Sequence, residues 1–232
     1  MISIQNIKFG YRSHQEVLDD FSLDFAKNGI YGLLGKNGTG KSTLLYLMMG
    51  LLRPQKGSVT IDGISSSLRK PEVLQEMFLV PEEYDLPRIS LKKYVKSIKP
   101  FYPHFSDELL EKSLANFEMT SDIDLGSLSM GQKKKVYMSI ALAANTHYLL
   151  LDEPTNGLDI LSKSQFRKAV IEGMNDEKTI IVSTHQVHDV ERLLDHVCII
   201  ERNRVLLNEP LVETEEPVNL EELFIKTVEL GK

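Results

Sequence analysis

"LLGKNGTGKSTLL", residues Leu33 to Leu45, sets Gly35, Gly38, Gly40 and the turn-former Asn37 between two apolar runs. The run before it, "GIYGLL", reads as a strand, and the run after it reads as a helix from Ser42 to about Leu52. Pro54 and Gly57 in "RPQKG" punctuate the end of that helix. The stretch fills the spacing G-x-x-x-x-G-K-[ST] with Gly35, Gly40, Lys41 and Ser42, in the strand-to-helix context that the pattern needs. Glycines let successive N–H groups curl inward as a nest for an anion. The start of the helix adds the positive end of its dipole. Lys41 can reach the β- and γ-phosphates of a nucleotide, and Ser42 can offer a hydroxyl to Mg²⁺, a hard cation that prefers oxygen. The candidate cradle runs from Gly35 through Lys36, Asn37, Gly38, Thr39, Gly40, Lys41 and Ser42 to Thr43.

Further along, "YLLLDEP", Tyr148 to Pro154, is an apolar strand that ends in two carboxylates. Alone, such a pair reads as a helix cap. Beside a phosphate loop it reads as chemistry. Asp152 is placed to hold Mg²⁺ through water, and Glu153 to orient and deprotonate an attacking water.

The rest of the chain alternates strands and helices. "ISIQNIKFGY" and "VLDDFSLDFA" precede the loop as strands, and "GSVTIDG" and "MFLVPEE" follow it. From Tyr84 to about Leu125 the character turns helical, in "SLKKYVKSIKPFYPHF" and "SDELLEKSLANFEM", the second opened by Ser106. "GQKKKVYMSIALAAN" is a helix, "HYLLLDE" a strand, "SKSQFRKAVIEGM" a helix, "KTIIVSTH" a strand and "VHDVERLLD" a helix. "HVCIIERNRVLLNE" reads as a hairpin turning at Arg202-Asn203. The final helix "VNLEELFIKTVEL" puts Leu220, Leu223, Phe224 and Val228 on one face. The expected fold is α/β: a mostly parallel sheet with ligands at the carboxyl ends of its strands, an N-terminal antiparallel β part and an inserted helical part. The whole chain, 1–232, is read as a single domain. Residues 1–83 and 146–232 form its α/β core, and about 84–145 its helical lobe.

Composition narrows the function. The 27 basic and 33 acidic residues leave a net charge of -6, which disfavours a nucleic-acid partner held by bulk electrostatics. The lysine run Lys133, Lys134 and Lys135, and the group Arg88, Lys92, Lys93, Lys96 and Lys99, read as solvated helix faces, with a lipid or partner contact as the alternative. No apolar run reaches the roughly 18 residues that a bilayer span needs. The start lacks the layout of a signal peptide. The single cysteine, Cys198, reads as a buried small hydrophobe, which fits a reducing cytosol.

A third motif discriminates among phosphate-loop proteins. "LSMGQ", Leu128 to Gln132, opens the helix that leads into the "YLLLDEP" strand, and it resembles the LSGGQ signature of ATP-binding cassette (ABC) proteins. "NGLD", Asn156 to Asp159, is similar to the loop that follows the family's catalytic glutamate. "STH" puts His185 at the family's switch-histidine position, and Tyr11 matches the aromatic that stacks on adenine. The resemblance covers essentially the whole chain.

It implies ATP and Mg²⁺ as cofactors and ATP hydrolysis as the activity. It also implies a second cassette, identical or different, whose Ser129, Gly131, Gln132 and Asp159 close over the first copy's nucleotide. Separate integral membrane permease subunits follow from it too, with the chain peripheral on the cytoplasmic face and no nucleic acid. His185 would contact the γ-phosphate and steady the water beside Glu153. In this sequence Glu82, in "VPEE", stands where the family has a magnesium-sensing glutamine, and Met130 stands where the signature has its first glycine. Glu82 can still coordinate Mg²⁺, and Met130 is expected to weaken or slow closure. Glu82, "GLLRPQKGSVTIDG" and "FYPHF" resemble the ABC-2-type exporter group, so export is the expected direction. The competing readings are a cassette acting on a soluble complex and a module that holds ATP without turnover. The absence of a tandem cassette or long coiled coil argues against the first, and Glu153 with His185 against the second.

Overall fold

The computed structural model describes residues 1–12, 15–25, 28–201, 203–211 and 219–230. The chain opens with two long strands, β1 (Ile2–Arg12) and β2 (Gln15–Phe25), and a shorter one, β3 (Gly29–Leu34). Helix α1 (Lys41–Met48) leaves the glycine-rich loop. β4 (Lys56–Ile61) and the two-residue β5 (Ile64–Ser65) complete a four-stranded antiparallel sheet in the order β2-β1-β4-β5. A short α2 (Pro71–Leu74) leads into β6 (Met77–Val80). Three helices follow: α3 (Leu91–Ile98), α4 (Asp107–Asn116) and α5 (Met130–Ala143). The chain then alternates through β7 (Tyr148–Asp152), α6 (Ile160–Gly173), β8 (Thr179–Thr184), α7 (Val187–Val190), β9 (His196–Glu201), β10 (Arg204–Pro210) and α8 (Leu220–Leu230).

The second sheet has six strands in the order β10-β9-β3-β8-β7-β6. Its strands pair in parallel except for β10, which returns antiparallel on β9. Period-two alternation divides the core between its faces. Ile30, Leu34, Ile180 and Val182 pack with the helical layer, including Leu114 of α4 and Ile140 of α5. Tyr31, Leu33, Ile181 and Cys198 face the other way, onto Leu44 and Leu47 of α1 and the antiparallel sheet. Cys198 is fully buried and its thiol is pushed up to about 12 by burial, so it is an inert core residue. Leu220 and Val228 of α8 are buried, and Leu223 and Phe224 pack beside them, as the helical periodicity predicts.

Several boundaries move from their sequence positions. The stretch from Ser90 helps cap α3, but Pro100 cannot donate into a continuing helix, and a 3-10 turn over Lys99–Phe101 replaces it. The helix expected over "VHDVERLLD" is α7 plus a 3-10 turn at Glu191–Leu193. β5 and α2 are elements that sequence periodicity did not mark, because each is too short to show a period. His196 stacks on Tyr31 with ring centroids 4.4 Å apart, and His147, His104 and His188 pair with glutamates near the surface. His14 and Arg202 lie outside the described residues. Among the described residues no helix is long and apolar enough to cross a membrane.

The helix that leaves the phosphate loop stops earlier than its apolar content suggests. Gly50 takes φ +64°, and its N–H bonds back to Leu47 O while Leu51 N–H reaches Tyr46 O. A Cβ at Gly50 would lie 2.2 Å from Ser66 O. Gly50→Ala is therefore expected to destabilise the protein by about 2–4 kcal/mol and to lower the melting midpoint by roughly 5–10 °C. An unchanged thermal melt would show that the turn relaxes freely.

Candidate functional site

Strand register assembles the site. Leu34 of β3 lies opposite Thr184 of β8, Asp152 of β7 opposite Ser183, and Val80 of β6 opposite Leu151. Gly35, Pro81, Glu153 and His185 are thus the first residues beyond four neighbouring strands, all at one carboxyl edge. This is where parallel sheets present ligands.

The loop after β3 turns on Gly40, whose φ of +97° is left-handed backbone open to glycine. Thr39 anchors the loop through its hydroxyl to Lys36 O at 2.9 Å. Lys41 is only 5% exposed. Its Nζ donates to Gly35 O at 2.7 Å and Lys36 O at 3.1 Å, and it lies 3.6 Å from Glu153 Oε1. Burial lowers its pKa, and the Glu153 charge opposes that shift.

Asp152 and Glu153 are both buried. Asp152 accepts from the Ser183 hydroxyl and from Ser42. Burial raises its pKa, while those two hydroxyls hold it down. Glu153 stands at φ +44°, a strained value for a residue with a Cβ. Its N–H donates to Ser183 O at 2.9 Å, and its carboxylate accepts from Thr184 Oγ1 at 3.0 Å. His185 Nδ1 lies 2.8 Å from the same carboxylate's Oε1. With a carboxylate as acceptor, Nδ1 carries the proton of that bond, which leaves Nε2 as the nitrogen free to meet a ligand.

Glu82 reaches this cluster at one remove, for its Oε1 accepts from Asn156 Nδ2 at 2.8 Å. Tyr11 lies within β1, one residue before its end. It is exposed, sits edge-on to Phe9 at 5.1 Å and contacts Thr43 Oγ1 at 3.1 Å, which sets its ring beside the phosphate loop.

Residues 18–156 match the family profile described as ABC transporter. ABC transporter ATP-binding protein NatA of Bacillus subtilis (strain 168) is 30% identical over 246 aligned positions, which cover 100% of this chain and 99% of that one. High-affinity zinc uptake system ATP-binding protein ZnuC of the same organism is 32% identical, covering 87% and 91%. A solved structure titled "Structure of ATP binding subunit of ABC transporter" superposes with a TM-score of 0.84 at 23% identity, over 98% of this chain and 99% of that one.

The chain belongs to the ABC transporter family. It is the ATP-binding, ATP-hydrolysing subunit of such a transporter, and subunits of this kind pair with membrane permeases. Among the described residues no hydrogen bond or ion pair joins Ser129, Gly131, Gln132 or Asp159 to residues 35–43. Ser129 caps α5: its Oγ accepts from Gln132 N–H at 3.3 Å, and Gln132 Oε1 accepts from Ser129 N–H at 3.0 Å. Asp159 caps α6 by accepting from Ser162 N–H at 2.7 Å, which lowers its pKa. Met130, the first residue of α5 after the Ser129 cap, is 74% exposed.

Two contributors, Ser183 and Thr184, were not singled out from sequence, and the contact of Asn156 with Glu82 was not readable from its motif. Ser183 and Thr184 are polar ends of the apolar run "TIIVST", and their lack of exposure was not readable without the register. Asn156 links Glu82 to the turn after β7. The lysine run corrects the solvated-face reading: Lys133 approaches Asp85 at 3.9 Å, Lys134 donates to Asn156 O at 2.6 Å and Lys135 to Gln165 Oε1 at 3.0 Å.

Ser183→Ala leaves Asp152 buried with one partner fewer. The expected cost is about 1–3 kcal/mol of stability, read by urea denaturation. Unchanged stability would mean that the hydroxyl contributes nothing to holding the carboxylate.

Proposed function

We propose that this subunit binds Mg-ATP on the loop Gly35–Thr43, hydrolyses it with Glu153 as general base, and drives export through separate membrane subunits. The observation that carries the catalytic part is the convergence of Glu153 on His185, Thr184 and Lys41 within hydrogen-bond or ion-pair reach. A carboxylate so tied has a fixed direction and a fixed neighbour to orient its water. Lys41 exchanges its carbonyl partners for β- and γ-phosphate oxygens. Tyr11 offers its exposed ring to adenine. His185 holds the γ-phosphate and the water.

Ser42, Asp152 and Glu82 would hold Mg²⁺; they fit it in chemistry, being an oxygen-only set with Ser42 and Asp152 already in contact. The ion supplies charge neutralisation on the phosphates.

A second copy or a related cassette covers the nucleotide with Ser129, Gly131, Gln132 and Asp159. Among the described residues nothing lies within 4 Å of a Cβ at Gly131, so the glycine serves an approach from outside. Met130 beside it makes that closure slower. We assign residues 1–83 and 146–232 to the nucleotide-binding core and about 84–145 to the lobe that bears the signature. The permease docks in the groove between them, where the basic group Arg88 to Lys99 lies, and this holds the subunit on the cytoplasmic face of the membrane. Export rests on the resemblance of Glu82 and its flanking motifs to ABC-2-type exporters.

Glu153→Gln should lower ATP turnover by about 100-fold or more while leaving nucleotide binding intact. With saturating Mg-ATP that variant should elute from size exclusion as a dimer. Unimpaired turnover, or a persistent monomer, would contradict the base or the sandwich respectively. Lys41→Ala should abolish tight ATP binding in a fluorescent-nucleotide titration, and unchanged affinity would refute the cradle.

A further inference from the structure

The three lysines behind the signature take three different partners, Asp85 for Lys133, Asn156 O for Lys134 and Gln165 for Lys135, and among these it is Lys134 that meets the turn carrying Glu153. Its Nζ donates to Asn156 O at 2.6 Å. Asn156 bonds twice more: its Nδ2 donates to Glu82 Oε1 at 2.8 Å, and its N–H closes the turn onto Glu153 O at 3.1 Å. One lysine on α5 therefore connects to the loop after β6 and to the turn that carries Glu153. Lys134 and Glu153 also line one narrow cavity with Tyr84, Met138 and Leu158.

The charge balance gives this contact its meaning. Glu82, Asp152 and Glu153 act together on Lys41, and Glu82 and Glu153 act on Lys134. A half-buried ammonium is costly without partners, and a half-satisfied carboxylate cluster is costly too. Each offsets the other. The turn itself is strained, since Glu153 holds φ +44°, so it needs an external tether to stay in one place. The tether comes from the helix whose N-terminus is the signature.

We propose that Lys134 is a positioning residue. It pins the 153–156 turn and balances the Glu82 charge, so that the seat of the signature helix sets where Glu153 stands. This rests on the assignment of Glu153 as the base.

The test uses the full chain with Lys134→Gln, Lys134→Arg, Glu82→Gln and the double variant Glu82→Gln/Lys134→Gln. Lys134→Gln should cut kcat about tenfold with KM for ATP changed by no more than about twofold, and Lys134→Arg should recover at least about half of kcat. In the Glu82→Gln background the same lysine change should cost less than about threefold, because the charge it balanced is gone. In nucleotide-free protein, amide exchange at 154–158 should quicken about tenfold in Lys134→Gln while residues 41–48 keep their protection. That readout stands whatever the hydrolysis rates are. Unchanged exchange overturns the proposal, as does an equal kcat loss in both backgrounds or an effect on KM alone. Wild-type turnover by Glu153→Gln, alongside a loosened turn in Lys134→Gln, would remove the base assignment and leave the lysine's hold on the turn standing.

Discussion

Lys41 and Glu153 face each other across the carboxyl edge of the sheet, each about 5% exposed and 3.6 Å apart. Neither charge could be buried there alone. The lysine is held by two carbonyls of its own loop, and the glutamate by Thr184 and His185. Removing any one of these segments strands a charge in a low-dielectric setting. The site is thus a joint between strands β3, β7 and β8, and its geometry is fixed by their register before any nucleotide arrives.

The same joint explains why the surrounding polar residues are arranged as they are. Glu153 and Glu82 both act electrostatically on Asp152, and hydroxyls, an amide and two lysines offset that negative charge. Ser183 and Ser42 steady Asp152, and Asn156 steadies Glu82. Such a set is poised for a divalent cation and a polyphosphate, which bring charge of both signs. By contrast the signature end of α5 closes on itself through the Ser129–Gln132 capping box, in which each residue's amide donates to the other's side chain.

Much of this was legible in the chain. The loop Gly35–Thr43, the strand ending in Asp152 and Glu153, and His185 at the end of β8 are marked by period changes and by motif spacing, which are local signals. The strand alternation that splits the core between two faces is local as well. What stayed hidden depends on pairing between distant segments. The expected end of α1 ran past Met48 because a left-handed Gly50 is not distinguishable by type alone from a glycine tolerated in a helix. Lys133, Lys134 and Lys135 look like a solvated run because a sequence shows spacing on one helix and not the loops packed against it. Ser183 and Thr184 look like ordinary strand residues until β7 is laid beside β8.

The account's central claim is that the buried lysine gives up its loop carbonyls to a triphosphate while the glutamate stays in place. A crystal structure with Mg²⁺ and a non-hydrolysable ATP analogue tests this most directly. The claim predicts phosphate oxygens within hydrogen-bond distance of Lys41 Nζ and of the loop amides, with Glu153 still tied to His185. An analogue bound elsewhere, with Lys41 Nζ still on Gly35 O, would contradict it.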